Sequence, residues 1–266
     1  MASIDLQQLG QVLSGQASIA ELYRTTPSFT SALYVHSVLM IVVYLTGVVT
    51  QDYSQVDRLW SILPTVTIFS YAYHAHYCAT QAVGARTIVL LIIQSAWSIR
   101  LTFNFARKGG YSGTEDYRWI VLRRDVFGSG GSIVGRACEQ IFSIGFISVT
   151  QLLLLLFITK PAWLLISKFG QHEFAVVPDA IFAGLMASAI LVESITDNKQ
   201  WRKWKKGDSH RLHDLHQQFF FFFHYLLRVM LLQCLIMSFF FLVFRIPTSE
   251  NAIPHQKWHN EHAATR

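Results

Sequence analysis

Charge is scarce in this sequence: Asp, Glu, Lys and Arg make up only 14% of its 266 residues, against 52% hydrophobic ones. That balance excludes an ordinary water-soluble domain, in which about 25% of residues are charged. Proline is rare as well, with six in the chain and none between Pro178 and Pro247, so long stretches run without a helix breaker. Cysteine is rarer still. Cys78, Cys138 and Cys234 stand singly with no CxxC spacing, which excludes a zinc ribbon or a dithiol redox motif and leaves packing residues. The first thirty residues lack a basic segment followed by a short apolar core and a small-residue cleavage site, and we expect no cleavable signal peptide there.

What the chain has in abundance is long apolar runs. Windows at about 31–50, 59–80, 85–105, 139–159, 178–196 and 219–244 carry almost no charge. Each of about twenty residues spans roughly 30 Å at 1.5 Å of helical rise per residue, the thickness of a bilayer's hydrocarbon core. A transmembrane barrel would alternate apolar and polar residues, whereas residues 152–158 are apolar on every face. The expected fold is an all-α, polytopic membrane bundle of about six transmembrane helices. Residues 1–30 form an N-terminal surface segment with a short helix between Ile4 and Leu22, residues 31–207 a membrane domain, and residues 208–266 a C-terminal segment with one further membrane helix.

Counted by loop, thirteen Lys and Arg follow the first, third and fifth windows: Arg58; Arg107, Lys108, Arg118, Arg123, Arg124 and Arg136; Lys199, Arg202, Lys203, Lys205, Lys206 and Arg211. Seven lie on the opposite side together with both termini. The positive-inside rule then places the thirteen-charge face in the cytosol. Such a face can concentrate a phosphate-bearing cofactor or touch anionic headgroups, and charge alone does not separate the two. The net charge of +6 has no soluble basic domain to carry it, so no nucleic-acid partner is expected. The loop at 109–135 is rich in Gly and Ser, but it lacks the Gly-Lys-Ser/Thr ending of a phosphate loop and reads as a connector or hinge.

Several residues are costly where they stand. Arg100 sits within the third window, and Trp97, Arg100, Asn104 and Arg107 follow three- and four-residue steps, so one helical face presents indole, guanidinium and amide together. That stripe reads either as the wall of a polar cavity or as a snorkelling arginine beside an interfacial tryptophan. Glu193 and Asp197 lie four apart near the end of the fifth window, with Asn198 and Gln200 beside them. They suit proton transfer or ribose binding, and equally suit salt bridges to the basic run that follows. Of eleven histidines, His74 and His76 lie roughly 200° apart on a helix and cannot share a metal from one face. The helically spaced sets His210, His213, His216 and His255, His259, His262 fall on opposite sides of the membrane, so no metal site is expected.

Three stretches go further. Val56-Asp57-Arg58-Leu59-Trp60-Ser61-Ile62-Leu63-Pro64, then Leu101-Thr102-Phe103-Asn104-Phe105-Ala106-Arg107-Lys108-Gly109-Gly110-Tyr111, then Glu115-Asp116-Tyr117-Arg118-Trp119, resemble the steroid-oxidoreductase-like branch of the 5α-reductase superfamily. The resemblance covers roughly residues 52–206. It implies an endoplasmic-reticulum membrane enzyme that uses NADPH to reduce a carbon–carbon double bond of a lipid or sterol enone, the cofactor supplying the hydride. By that resemblance Arg100, Asn104 and Arg107, with Asp116, Tyr117 and Arg118, line a cytosolic cofactor cavity, and Asp197-Asn198 marks the acidic helix end near the cofactor.

After about Gly207 the chain departs from that pattern. Relatives continue with a Gly-Leu-Phe turn and an Arg-His-Pro-Asn-Tyr-like stretch, whereas here Asp208 to His216 precede five consecutive Phe from Phe219. The cofactor half of the pattern is thus missing, and the chain is either an inactive form or has another job. Two further readings stand beside the reductase: an S-adenosylmethionine-dependent lipid methyltransferase, whose family has a similar helical core, and a non-enzymatic membrane scaffold or inactive remnant.

Overall fold

A computed structural model describes residue 10 and residues 14–15, 18–113, 115–128, 132–169 and 176–205, and all of the regular structure among them is helical. Helix α1 (Ile19–Thr25) begins where the Ser18 hydroxyl accepts from the Glu21 N–H at 3.1 Å. Helix α2 (Ser28–Thr50) follows Pro27 and runs without a single charge until Gln51 takes a left-handed φ of 54° and stops it. The short α3 (Gln55–Leu59) leads into α4 (Leu63–Tyr73), which has Pro64 in its first turn and continues as a π-helix over His74–Cys78. Helix α5 covers Ala85–Arg107 and α6 covers Tyr117–Asp125. Helix α7 (Ile133–Phe142), a π-helix (Ser143–Thr150) and α8 (Gln151–Ile158) form one continuous rod, broken from α9 (Lys160–Phe169) at Thr159. Helix α10 spans Val176–Lys205.

Four helical stretches are long and apolar enough to cross a membrane: Ser28–Thr50, Ala85–Arg107, Ile133–Lys168 and Asp179–Arg202. The chain is thus an integral membrane protein, all-helical in its regular structure among the described residues, but the expected six spans are not reached among them. The second window forms eleven residues of α-helix and five of π-helix, about 24 Å at ordinary helical rise, short of a full span. The sixth window, 219–244, lies outside the described residues, as do the two C-terminal histidine sets.

Direction along the bundle follows from paired contacts. Arg86 at the start of α5 meets Asp179 at the start of α10, and Arg107 at the end of α5 meets Asn198 near the end of α10. The two helices therefore run parallel. The α7–α8 rod runs the opposite way: Glu139 accepts from Tyr53 just beyond α2, while Thr159 at the far end bonds Tyr71 near the end of α4. These contacts bring residues 52–58, the α5–α6 turn and the end of α10 to one end of the bundle, the end that carries the larger share of Lys and Arg.

Two apolar clusters fill the interior. One joins Ala32, Ile68, Tyr71, Leu90 and Leu156 to the α9 residues Ala162, Leu165 and Ile166, so α9 packs against α4 beyond Thr159. The other joins Val43, Val56, Leu63, Trp119, Ile147 and Leu152 at the basic end. Lipid tails are as apolar as these side chains, so close packing and internal hydrogen bonds hold the helices together rather than exclusion of water. Helix α10 is the exception, with large side chains such as Ile181, Leu185, Leu191, Val192 and Ile195 exposed along it and α5 as its main neighbour.

The α5–α6 turn is built on glycine. Gly109 has a φ of +85°, and a Cβ at Gly110 would lie 2.3 Å from the Phe105 ring, which packs edge-on against Tyr111 at 5.1 Å. Gly110→Ala must displace that ring and is expected to cost about 1–3 kcal/mol, read as a lower unfolding temperature in detergent. Gly184→Ala, at an open helical position of α10, is the control and leaves the temperature unchanged or slightly raised.

Candidate functional site

The polar stripe read from residues 97–107 faces α10. Arg100 Nη2 lies 2.6 Å from Glu193 Oε2, and its Nη1 bonds Asp197, with all three side chains largely buried. The Glu193 contact is ionic and lies off the hydrogen-bond direction, and Arg100 Nε is buried without a partner. Two helical turns on, Arg107 donates to Asn104 Oδ1 at 2.8 and 3.0 Å and to Asn198 Oδ1 at 2.6 Å. Its guanidinium also lies over the rings of Phe103 and Trp201, at 5.4 and 5.3 Å. Lys108 extends the row by donating to Gln200 at 2.9 Å. Five of the eight expected cofactor residues, Arg100, Asn104, Arg107, Asp197 and Asn198, are therefore assembled in one seam between α5 and α10.

The remaining three stand elsewhere at the same end. The Asp116 N–H donates to Ser54 Oγ at 2.7 Å, which ties it to the segment after α2. Tyr117 and Arg118 begin α6, and their side chains lie outside the described residues. Around Asp116 is a dense polar network. Arg123 pairs with Glu115 and lies 5.0 Å over the Tyr53 ring. Glu115 accepts from the Tyr53 N–H, and buried Glu139 accepts from the Tyr53 hydroxyl, both at 2.9 Å. Burial, then the Glu139 carboxylate, pushes the Tyr53 hydroxyl up to about 12. At Asp52 burial works against ionisation, but the Ser54 N–H and the Arg58 guanidinium outweigh it and hold the carboxyl below its ordinary value.

The segment Asp57-Arg58-Leu59-Trp60-Ser61, from which no role could be read in sequence, proves to be a hub. Asp57 accepts from the Trp119 indole at 2.8 Å and Arg58 donates to Asp52 and to the Gly110 carbonyl at 2.7 and 3.2 Å. The Trp60 indole donates to Gln151 at 2.9 Å, and the Ser61 carbonyl accepts from Ser98 at 2.6 Å. Four neighbouring residues thus tie α6, the glycine turn, α8 and α5 together. Sequence reading also missed the Arg86–Asp179 pair, whose side chains are only 6% and 2% exposed. Only their meeting across the fold gives them a role.

The spacing left the Arg100 stripe open between a cavity wall and a snorkelling arginine, and the resemblance implied a cofactor cavity; in the structure the Glu193 and Asp197 carboxylates of α10 meet the Arg100 guanidinium. Among the described residues a concavity lies one turn deeper along α5. It holds about 20 Å³ and is lined by Pro64, Ile68, Leu90, Gln94, Trp97, Ile158, Thr159, Ala162 and Met186. Trp97 therefore stands between this crevice and the Arg100 cluster. Among the described residues no group of three or more His, Cys, Asp or Glu is placed to hold a metal.

A family profile described as "Protein of unknown function (DUF1295)" matches residues 43–215. An uncharacterized protein of Schizosaccharomyces pombe is 30% identical over 197 residues, covering 74% of this chain and 54% of the relative. The chain thus spans about half the length of the relative it matches. No solved structure matches.

Two expectations follow. Arg100→Leu leaves two carboxylates in the seam without their cation and is expected to destabilise the chain by about 3–5 kcal/mol. The triple change Arg100→Leu, Glu193→Gln and Asp197→Asn recovers most of that loss, as thermal unfolding in detergent would show; a triple variant no better than the single would contradict the ion-pair account. For Tyr53, a hydroxyl that ionises later in the folded than in the unfolded chain stabilises fully below pH ~10, and the contribution is lost as pH rises towards 12. Tyr53→Phe should flatten that part of the alkaline unfolding profile.

Proposed function

The chain belongs to the DUF1295 family of proteins of unknown function, and from that premise we propose that it is a membrane reductase acting with NADPH on a carbon–carbon double bond of a lipid or sterol enone. The resemblance to the steroid-oxidoreductase-like branch, stated from the motifs above, supplies the reaction class. The observation that carries the reading is the order of groups along the α5–α10 seam. An apolar crevice at Leu90 to Trp97 comes first, then the Arg100–Glu193–Asp197 cluster, then Asn104, Arg107, Asn198 and Trp201 at the basic end. A substrate from the bilayer and a cofactor from the basic side would approach the acidic cluster from opposite ends. The same reading puts the basic end in the cytosol and the chain in the endoplasmic reticulum.

The residues fit the cofactor unequally. Arg107 is held by amide oxygens and aromatic faces rather than by a carboxylate, so its charge remains available to a phosphate. Arg100 does not fit that role, because Glu193 and Asp197 already compensate it. In this reading Arg107, Asn104 and Asn198 hold phosphate and ribose groups, and NADPH supplies the hydride when bound. Glu193 and Asp197 stand together at the Arg100 guanidinium, and in this reading one of their carboxyl groups is the acid that polarises an enone carbonyl. Asp116, with Tyr117 and Arg118 beside it, lies at the same end and would close the cofactor side.

One observation favours the non-enzymatic reading: the crevice of about 20 Å³ is far smaller than the 300 Å³ or more usual for a cofactor pocket. A single titration separates the readings. The full chain in nanodiscs is titrated with NADPH, following energy transfer from tryptophan to the nicotinamide, and then supplied with sterol enones while NADPH oxidation is recorded. Saturable binding is expected, weakened about tenfold or more by Arg107→Leu, with oxidation that depends on the enone. Binding of S-adenosylmethionine instead would favour the methyltransferase, and binding of neither would leave the scaffold.

A further inference from the structure

The crevice beside Trp97 lies within the membrane-crossing part of α5, yet its lining mixes apolar walls with three polar side chains: Gln94, Trp97 and Thr159. Two of these are provided for. Gln94 donates to Thr65 Oγ1 at 3.0 Å, and the Thr159 hydroxyl bonds Tyr71 at 3.0 Å and the Leu156 carbonyl at 2.7 Å. The Trp97 indole N–H is not. Trp97 is only 8% exposed, and its Nε1 is buried with no acceptor. An indole nitrogen donates and never accepts, and a buried donor without an acceptor carries the full cost of its desolvation.

We propose that this crevice receives the carbonyl or hydroxyl oxygen of a neutral membrane lipid, with the Trp97 indole as donor. The chemistry of the lining selects that class. Its nine residues include no cation, so an anionic headgroup would be left uncompensated. Trp97 also lies ten residues before Arg107, about 15 Å deeper along the helix, beyond the reach of a phosphate anchored at the basic end. A volume of about 20 Å³ accommodates one oxygen, since about 10–15 Å³ suffices for a water, but it cannot take a ring system. The ligand therefore places only its polar tip inside, against Leu90, Ile68 and Met186, and keeps its body in the acyl chains. A sterol ketone, a sterol alcohol and a long-chain ketone share that design.

The proposal concerns binding and needs neither NADPH nor turnover, so it can fail while the reductase reading survives, and the reverse. The full chain in phosphatidylcholine nanodiscs is titrated with radiolabelled cholest-4-en-3-one and, separately, with oxygen-free cholest-4-ene. The ketone is expected to bind about tenfold more tightly, the worth of one buried hydrogen bond. Trp97→Phe, which keeps the aromatic volume, abolishes that preference, while Trp163→Phe, whose indole bonds Ser28 at 3.1 Å, retains it. Equal affinities in the unaltered chain would mean that the crevice holds a water alone and would overturn the proposal, as would a preference that survives Trp97→Phe. Should Trp97→Phe not fold, photolabelling of the unaltered chain with a diazirine-bearing sterol ketone decides. Adducts on peptides containing Leu90, Trp97 or Met186 support the site, and adducts confined to other peptides overturn it.

Discussion

A charged side chain in a membrane span must find its countercharge inside the protein, and this constraint organises the fold. Helix α5 carries Arg86 near one end and Arg100 near the other, and α10 answers them with Asp179 and with Glu193 and Asp197. A charge near the middle of a bilayer is disfavoured by a few kcal/mol on insertion scales, so neither helix is suited to stand alone in lipid. Their parallel association follows from this pairing more than from apolar contact, since much of α10's apolar surface remains exposed. The seam that results gathers most of the side chains on which a functional reading can rest.

The stripe at Arg100, Asn104 and Arg107 was legible because helical periodicity is written locally: residues three and four apart share a face whatever the fold. The pairing of Glu193 with Asp197 was legible for the same reason. What each face meets was not. The Arg100–Asp197 contact joins residues 97 apart in the chain and the Arg107–Asn198 contact residues 91 apart, and no spacing rule reaches so far. Sequence therefore left open whether the stripe lines a cavity or snorkels, and the structure shows a third outcome, in which the stripe is met by carboxylates and amides from a neighbouring helix.

The same limit explains the hub at Asp57 to Ser61. Its opposite charges, tryptophan and following proline make an ordinary membrane-helix entrance, and its partners Trp119, Gly110, Gln151 and Ser98 are scattered over four later segments. Apolar length was legible for the first, third, fourth and fifth windows, but breaks within it were less so. The fourth window was read to end at Thr159; there the Thr159 hydroxyl bonds Leu156 and Tyr71, and α9 follows with Pro161 in its first turn. The second window contains a π-helical stretch and stops short, because residues 79–84 leave the helix before the far side is reached.

The ionic contacts at the two ends of the α5–α10 seam act on α10 as two pins act on a rod. With both in place, sliding by even one turn, about 5.4 Å, would part them together, so translation is suppressed. Arg86 and Asp179 form the drier pin, whereas Arg100 faces two acids, Glu193 and Asp197. The contacts thus hold α10 in register with α5 from Asp179 at one end to Asn198 and Trp201 at the other.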